Sequence, residues 1–147
     1  EILGNFRGAV IIDDYAHHPT EIKASLHALR ERYPDAKIRV FFHPHTFSRT
    51  ATFLDDFALS FMAADEVGVL QIYGSAREKQ GTVSGQDLAK KIFLRRQAAG
   101  LKNEVPYFLT MEKLVEFLRQ SADEGQVIVL MGAGDIFRVG QALLSPQ

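Results

Sequence analysis

The sequence has 147 residues, of which 46% are hydrophobic and 24% are charged, and these fractions exclude a disordered or low-complexity chain. Seventeen Lys and Arg residues face eighteen Asp and Glu residues, so the net charge of -1 excludes a global basic field that would collect nucleic acid or an anionic membrane. The chain has no Cys, which excludes a disulfide framework, a thiolate zinc finger and a cysteine nucleophile, and which favours a cytoplasmic protein.

The chain starts with Glu1-Ile2-Leu3-Gly4, which is neither an initiator Met nor a signal-peptide pattern. Its apolar runs stay far below the ~18 residues that a membrane span needs. We therefore expect residues 1–147 to form one domain cut from a longer protein.

The first half of the chain alternates apolar runs with segments of helical period. Residues 9–12 are continuously apolar between Gly8 and Asp13, which predicts a strand buried on both faces. A helix is predicted to begin at Pro19 and to end at Pro34, and residues 38–42 are the next predicted strand. The first helix has an apolar stripe made of Ile22, Leu26, Leu29 and Tyr33, and the second has one made of Phe53, Phe57 and Phe61.

The second half continues the same alternation. Strands are predicted at residues 67–72, 107–109 and 126–131. Ser84 with Asp87 resembles a capping arrangement for a helix that includes Leu88 and Ile92, and Thr110 is a natural N-cap for residues 111–120. A last helix is predicted at residues 136–144. We therefore predict an α/β fold, a three-layer Rossmann-like domain with a mostly parallel sheet and helices on both faces.

Polar residues cluster after the first two predicted strands, where an open α/β sheet binds ligands. Residues 13–19 follow the first strand and residues 43–49 follow the second, and these two loops hold four of the five His residues. If the two strands are neighbours, the loops face one crevice that offers carboxylates, imidazoles, a phenol and a guanidinium.

The His cluster has two interpretations. Imidazoles and carboxylates could hold a metal, but no pair has the His-Glu-x-x-His spacing and there is no Cys, so we assign no metal ligand. The alternative is that His17 or His18 closes the strand-to-helix turn through backbone hydrogen bonds, and for at least one of them we expect this role.

Two acidic residues and one basic residue stand out. Asp13 and Asp14 alternate at a strand end, so one could face the crevice, where such a carboxylate commonly binds a ribose, while the other caps the turn or pairs with a Lys. Arg49 lies near the start of a predicted helix, where the helix dipole does not favour a cation. It could have an anionic partner or be an ordinary surface Arg.

The turn Gly132-Ala133-Gly134 is not a dinucleotide fingerprint, because Phe137 stands where the third Gly would be. We predict a tight strand-to-helix turn whose amides could contact an anion, with Asp135 near the helix N-terminus. The sequence also has no Gly-x-x-x-x-Gly-Lys-Ser/Thr pattern, so it has no P-loop of its own.

Four segments together resemble the C-terminal domain of the Mur ligase family, in the same order and spacing over essentially the whole chain. They are residues 13–22, 44–50, 73–78 and 131–136. The Asp-Tyr-Ala-His-x-Pro core is shared by several members. The doubled Asp, the doubled His and the Pro-His-x-Phe-Ser-Arg loop are typical of the L-alanine-adding branch.

The resemblance implies a ligase of three domains that adds L-alanine to UDP-N-acetylmuramate in the cytoplasm, in the synthesis of peptidoglycan precursors that cell shape and division require. ATP would phosphorylate the muramate carboxylate, and the L-alanine amine would attack the acyl phosphate. The central domain, which is not in this chain, would hold most of the contacts to ATP and Mg²⁺. The C-terminal domain would close over it, and alone it would be inactive.

The resemblance also assigns residues. Asp14 would contact the ATP ribose, and Tyr15 and His17 would lie near the nucleotide and amino-acid side of the cleft. His45 and Arg49 would face the L-alanine carboxylate or the acyl phosphate. Many relatives have a second Arg where this chain has Thr46, so Arg49 would carry more of the anion binding. The loop at residues 73–85 would border the amino-acid pocket or act as a hinge.

Two alternatives stay open. The sister branch of the family, which joins a preformed peptide to UDP-N-acetylmuramate during wall recycling, shares much of the signature, although Tyr15 and the pair Thr20-Glu21 favour the L-alanine branch. A non-catalytic α/β nucleotide-binding module is the alternative from another class.

Overall fold

The computed structural model describes residues 1–74 and 83–147. Six strands pair into one sheet within these ranges: β1 (Ile2–Phe6), β2 (Ala9–Asp14), β3 (Lys37–Phe42), β4 (Glu66–Leu70), β5 (Tyr107–Phe108) and β6 (Gln126–Met131). The helices are α1 (Pro19–Arg32), α2 (Phe47–Thr52), α3 (Leu54–Ala58), α4 (Gly85–Ala98), α5 (Met111–Ser121) and α6 (Phe137–Leu144). The strand order is β1-β2-β6-β3-β4-β5, with β1 antiparallel and the other pairs parallel. The predicted α/β class is therefore confirmed.

β6 lies between β2 and β3, so the condition that the two His-bearing strands are neighbours is not met. The register pairs Asp14 with Met131 on one side of β6 and Phe42 with Met131 on the other. Two strand spacings, about 9–10 Å, separate the chain ends of β2 and β3. The loop that follows β6 therefore stands between the two His loops.

Alternate residues of the central strands bury opposite faces of the sheet, as strand geometry requires. On one face Val40, Phe42 and Val129 pack with Ile22 and Leu26 of α1, and this core also contains residues of α3 and α4. On the other face Phe41, Ile128 and Leu130 pack with α5 and α6. The helices thus form a layer on each face.

The structure adds a strand that the sequence prediction lacked. β1 pairs with β2 through a tight turn at Arg7 and Gly8, which both have positive φ, at 52° and 86°. A two-residue turn of this kind suits the twist of a hairpin, and Gly is its preferred residue. Residues 9–12 are therefore the second strand of the sheet.

The prediction of one helix around Phe53, Phe57 and Phe61 is wrong in its boundaries. Phe53 breaks the segment between α2 and α3, with φ -107° and ψ 21°, and Phe61 lies beyond α3. The stripe still packs on the sheet, because Phe57 and Phe61 both contact the ring of Phe42 at centroid distances of 5.4 and 5.3 Å. The three Phe side chains still share one stripe, because the break between the helices is a turn of similar pitch.

The predicted caps of α4 and α5 are confirmed. Ser84 Oγ accepts a hydrogen bond from the Asp87 amide at 3.1 Å, and Thr110 Oγ1 accepts one from the Lys113 amide at 3.3 Å. Among the helices of the described ranges, none has the length and apolar composition to cross a membrane.

Candidate functional site

The connections of β3 and β6 diverge at the carboxyl edge of the sheet. The chain leaves β3 toward α3 on one face, whereas it leaves β6 toward α6 on the opposite face. Adjacent parallel strands whose connections part in this way open a crevice between them, and this is where open α/β sheets bind ligands. The candidate site therefore lies at the ends of β3 and β6, with the loop after β2 beside it.

The loop after β2 is closed by Asp14. Its Oδ1 accepts a hydrogen bond from the Ala16 amide at 2.9 Å, which is an Asx turn, and its backbone carbonyl accepts one from the Gly132 amide at 2.9 Å. Of the two alternating acids, Asp14 is thus the one that caps the turn. The same residue ties the β2 loop to the glycine turn after β6.

Tyr15 and His17 lie at the outer side of this loop. Tyr15 is 66% exposed, and its ring meets that of His17 edge to face at 5.3 Å. His17 Nδ1 lies 2.9 Å from the Tyr15 carbonyl and 3.6 Å from Glu21 Oε1, so the ring is held against its own loop.

His18 has a structural role, which confirms the expectation that one of the two His residues closes the turn. Its Nδ1 accepts a hydrogen bond from the Thr20 amide at 3.3 Å, and the Glu21 carboxylate accepts one from the His18 amide at 3.1 Å. Together these bonds form a capping box at the start of α1. The ring also packs edge to face on Phe53 at 5.1 Å.

The loop after β3 begins with a buried imidazole. His43 is 6% exposed, and its amide donates a hydrogen bond to the Met131 carbonyl at 2.8 Å. A Cβ on Gly132 would come within 2.7 Å of the His43 carbonyl oxygen, so only Gly allows the two loops to approach this closely.

His45, two residues after His43, stacks on Tyr73. The two ring centroids are 5.2 Å apart with an interplanar angle of 21°. Tyr73 donates its amide to the Pro44 carbonyl at 2.8 Å, and its carbonyl accepts from the Thr46 amide at 2.7 Å, in a short parallel bridge that extends β3 and β4. Tyr73 is 47% exposed, so the stack forms part of the rim of the crevice.

Arg49 is the third residue of α2. Thr46 precedes this helix with a φ of 65°, and its Oγ1 accepts a hydrogen bond from the Arg49 amide at 3.3 Å. Within residues 1–74 and 83–147, the Arg49 guanidinium makes no ion pair or hydrogen bond. No anionic side chain of the described residues therefore neutralises its charge.

His43 and Asp135 are electrostatically linked. Burial lowers the pKa of His43, the negative charge of Asp135 opposes that shift, and the charge of His45 adds to it. His43 Nδ1 and Asp135 Oδ1 are both buried, and neither has a hydrogen-bond partner in the part of the chain that the structure describes. Gly134 lies between the His rings, since a Cβ there would be 3.9 Å from both His43 Nδ1 and His45 Cδ2.

The predicted site residues therefore form two groups. Asp14, Tyr15 and His17 lie on the β2 loop, His45 and Arg49 lie on the β3 loop, and the β6 turn separates them. Sequence reasoning gave His43, Tyr73 and Asp135 no individual role, although it had noted the three loops in which they lie. The signal for them was their position in the segments that follow three parallel strands of one sheet.

Two further predictions concern other parts of the site. The segment at residues 75–78 of the family signature and most of the 73–85 loop lie outside the described residues. Among the residues that are described, no group of three or more His, Asp or Glu side chains could hold a metal ion.

Comparison with known proteins finds a family model and relatives that match most of the chain. The sequence profile described as "Mur ligase, glutamate ligase domain" matches residues 1–134. The chain is 43% identical over 145 residues to the UDP-N-acetylmuramate–L-alanine ligase of Desulfitobacterium hafniense. The match covers 98% of this chain and 31% of that protein, so the chain spans about a third of the length of such relatives.

Two solved structures have the same fold. The UDP-N-acetylmuramate-alanine ligase MurC of Thermotoga maritima is 27% identical with a TM-score of 0.73, over 98% of this chain and 28% of that one. The murein peptide ligase of Psychrobacter arcticus is 23% identical with a TM-score of 0.76, over 98% of this chain and 28% of that one.

Proposed function

This chain belongs to the Mur ligase family through the glutamate ligase domain, and on that premise we propose that residues 1–147 are the C-terminal domain of an ATP-dependent ligase that adds L-alanine to UDP-N-acetylmuramate. The observation that carries the proposal is the 43% identity to an L-alanine ligase over 98% of the chain. The product would be the first amide of the peptidoglycan peptide. The enzyme would work in the cytoplasm.

The proposed reaction has two steps, a phosphoryl transfer and an attack by the amine. The γ-phosphoryl group of ATP moves to the muramate carboxylate, and the L-alanine amine then attacks the acyl carbon, so that phosphate leaves and the amide forms. Both steps need anionic groups held close together. A fixed guanidinium is well suited to that purpose, because its planar fork matches carboxylate and phosphate oxygens.

Arg49 is the residue that we assign to this anion, with His45 beside it. The assignment is supported by the Arg49 guanidinium, which has no anionic partner among the described residues. Thr46, where many relatives have a second Arg, already uses its hydroxyl to accept the Arg49 amide. Arg49 is the one Lys or Arg residue in the loop at residues 43–49, so its guanidinium is the fixed positive charge there.

The β2 loop is the proposed nucleotide side of the site. Asp14 Oδ1 is committed to the Ala16 amide, which leaves Oδ2 to accept a ribose hydroxyl. Tyr15 offers an exposed aromatic ring and His17 supports it edge to face. These contacts orient a nucleotide but do not bind its phosphates.

The longer enzyme would supply the remaining groups. The sequence has no P-loop, and the described residues contain no cluster that fits Mg²⁺, so we propose that phosphate and Mg²⁺ are held by a central domain over which this domain closes. Closure of this kind excludes water and positions reactants. The 147-residue chain alone is predicted to have no ligase or ATPase activity.

The test is a substrate competition with the full-length enzyme. Phosphate release and product mass are measured with ATP, UDP-N-acetylmuramate and either L-alanine or the preformed tripeptide. We expect turnover with L-alanine. Preferred turnover with the tripeptide would instead identify the wall-recycling ligase, and no turnover with either would favour a non-catalytic module.

The role of Arg49 is tested in the same enzyme. Arg49→Ala should lower kcat/KM for L-alanine by about a hundredfold, the loss of a charge-assisted contact of ~3 kcal/mol. Arg95→Ala is the matched control, because Arg95 is exposed in the last turn of α4, at the opposite edge of the sheet. Unchanged kinetics in Arg49→Ala would refute the assignment.

A further inference from the structure

Residues 44–46 and Tyr73 form a short parallel ladder beyond the ends of β3 and β4. The Tyr73 amide donates a hydrogen bond to the Pro44 carbonyl at 2.8 Å, and the Thr46 amide donates one to the Tyr73 carbonyl at 2.7 Å. Two such slanted bonds are the pattern of a parallel strand pair. His45 lies between the two bonded residues of the β3 side, so the ladder holds it in register with Tyr73.

The ladder also holds an unfavourable backbone conformation at Thr46. Its φ of 65° is one that a β-branched residue rarely adopts. Residues in such conformations persist only where their surroundings over-determine them. At Thr46 those surroundings are the Tyr73 carbonyl, which accepts its amide, and the Thr50 hydroxyl, which donates to its carbonyl at 2.8 Å. The path of the loop toward Arg49 is therefore imposed by contacts and not by local preference.

Gly74 accommodates the next side chain of the loop. A Cβ at Gly74 would lie 2.7 Å from Cε2 and 3.2 Å from Cδ2 of Phe47, so the Phe47 ring lies against a backbone that has no side chain. Phe47 is the first residue of α2, and Arg49 follows in the same helix. Residues 73–74 thus support the β3 loop from the ladder to the start of the helix that carries Arg49.

The Tyr73 ring is the side-chain part of this support. It is nearly parallel to the His45 ring, at 21° and a centroid distance of 5.2 Å, and nearly perpendicular to the His43 ring, at 84° and 5.8 Å. Stacked and edge-to-face contacts are the arrangements that aromatic rings prefer. Rotation of the His45 imidazole out of this plane would break the stack, so the Tyr73 ring favours one orientation of the imidazole.

We propose that Tyr73 is a positioning residue of the candidate site: its ring is the platform that fixes the imidazole of His45 toward the anion of the reaction. Tyr73 acts through His45 and not on the reacting atoms. The consequence for L-alanine binding rests on the proposed function, whereas the stacking of the two rings does not. If the backbone ladder alone held His45, the Tyr73 ring would be dispensable.

The first experiment uses nuclear magnetic resonance on the 147-residue chain. A proton above the face of an aromatic ring is shifted upfield, so the wild type should show upfield His45 ring signals and nuclear Overhauser contacts between the two rings. Tyr73→Phe keeps the ring and should keep both signals, whereas Tyr73→Leu should lose the upfield shift. Absence of the contacts in the wild type, or an unchanged His45 shift in Tyr73→Leu, would overturn the proposal.

The second experiment measures KM for each substrate in the full-length enzyme. Tyr73→Leu should raise KM for L-alanine about three- to tenfold, the size expected for the loss of one aromatic pair. It should leave KM for ATP and for UDP-N-acetylmuramate near the wild-type values, because His45 is assigned to the anion at the L-alanine side. Tyr73→Phe should recover most of the loss. Tyr33→Leu, at the C-cap of α1, is the matched control and should leave KM for L-alanine unchanged.

The outcomes separate the positioning role from the proposed function. An equal rise in KM for all three substrates in Tyr73→Leu would indicate general damage and would overturn the positioning role, as would wild-type kinetics in this variant. Equal losses in Tyr73→Phe and Tyr73→Leu would overturn it too, because they would assign the effect to the hydroxyl group. A wild-type enzyme without L-alanine turnover would refute the proposed function, and the His45 spectra would still decide whether the ring holds the imidazole. If Tyr73→Leu does not fold, the unbranched Tyr73→Met replaces it in both experiments.

Discussion

Gly132 makes the closest approach in the candidate site, and replacing it with Ala tests whether that approach holds the loops together. Its φ of 152° is one that L side chains rarely adopt, and a Cβ would meet the His43 carbonyl oxygen at 2.7 Å. The unfavourable backbone costs of order 1–3 kcal/mol, and overpacking against a backbone atom adds roughly another 1–3 kcal/mol. The expected loss in the free energy of unfolding is therefore about 2–6 kcal/mol.

Two other Gly residues of the chain separate these contributions. Gly125 has a φ of 81°, and a methyl group added at its Cα would have no atom within 4 Å, so Gly125→Ala measures the cost of a positive φ without a close contact. Gly134→Ala meets only ordinary contacts at 3.9 Å, to His43 and His45, and should change stability by less than ~1 kcal/mol. Gly132→Ala should exceed both.

The assay is urea denaturation of the 147-residue chain, monitored by circular dichroism. The wild type and the three Gly→Ala variants are fitted with one common slope of unfolding free energy against urea concentration. In the full-length enzyme, Gly132→Ala should also reduce ligase turnover, because the Gly132 amide is bonded to Asp14 and its Cα lies against His43. The reasoning is refuted if Gly132→Ala is no less stable than Gly134→Ala.

Three further predictions concern stability. Arg96 is 0% exposed and donates to the carbonyls of three residues before β4, so Arg96→Met should cost about 3–5 kcal/mol in urea unfolding, whereas exposed Arg95→Ala should cost less than ~0.5 kcal/mol. Burial raises the pKa of Glu66, but hydrogen bonds and charge from its two basic neighbours outweigh burial and leave that pKa below its usual value of 4.5. Ionised Glu66 therefore stabilises the folded form above pH 4.5, and this stabilisation is lost as the pH falls through the lowered pKa. The free energy of unfolding should fall less steeply toward acid pH in Glu66→Gln than in the wild type. An equally steep fall in the variant would contradict the prediction. His18→Ala removes the capping box of α1 and should lower the free energy of unfolding by about 1 kcal/mol, whereas exposed His27→Ala on the same helix should not.

The fold class was predictable because its signals are local. Apolar runs such as residues 126–131 and caps such as Thr110 act within a few residues of themselves, and both were found where predicted. The β1 hairpin also had a local signal, the pair Arg7-Gly8 between apolar segments, which the prediction did not use.

The strand order was not predictable in the same way. A buried central strand has the same apolar pattern wherever it stands in a sheet, so nothing local to residues 126–131 says that they insert between β2 and β3. The break at Phe53 was hidden for a related reason, since a turn of similar pitch preserves the spacing of the aromatic stripe.

The site shows the same division between local and long-range information. The turn-closing roles of Asp14 and His18 involve residues two or three positions away, and their residue types favour such bonds. The burial of His43 depends on Tyr73 and on the β6 turn, which are far away in sequence. A histidine directly after a strand otherwise has the pattern of an exposed loop residue.

The insertion of β6 also sets an order on folding. Of the described strands β6 is the last to leave the ribosome, yet it supplies the pairing edges of both β2 and β3. Until it docks, those two strands have unpaired backbone groups that can recruit other chains. Chaperone demand and aggregation should therefore be greatest for nascent chains that stop before Gln126. The strand that completes the sheet also brings the glycine turn between the histidine loops, so the crevice forms only when the fold is complete.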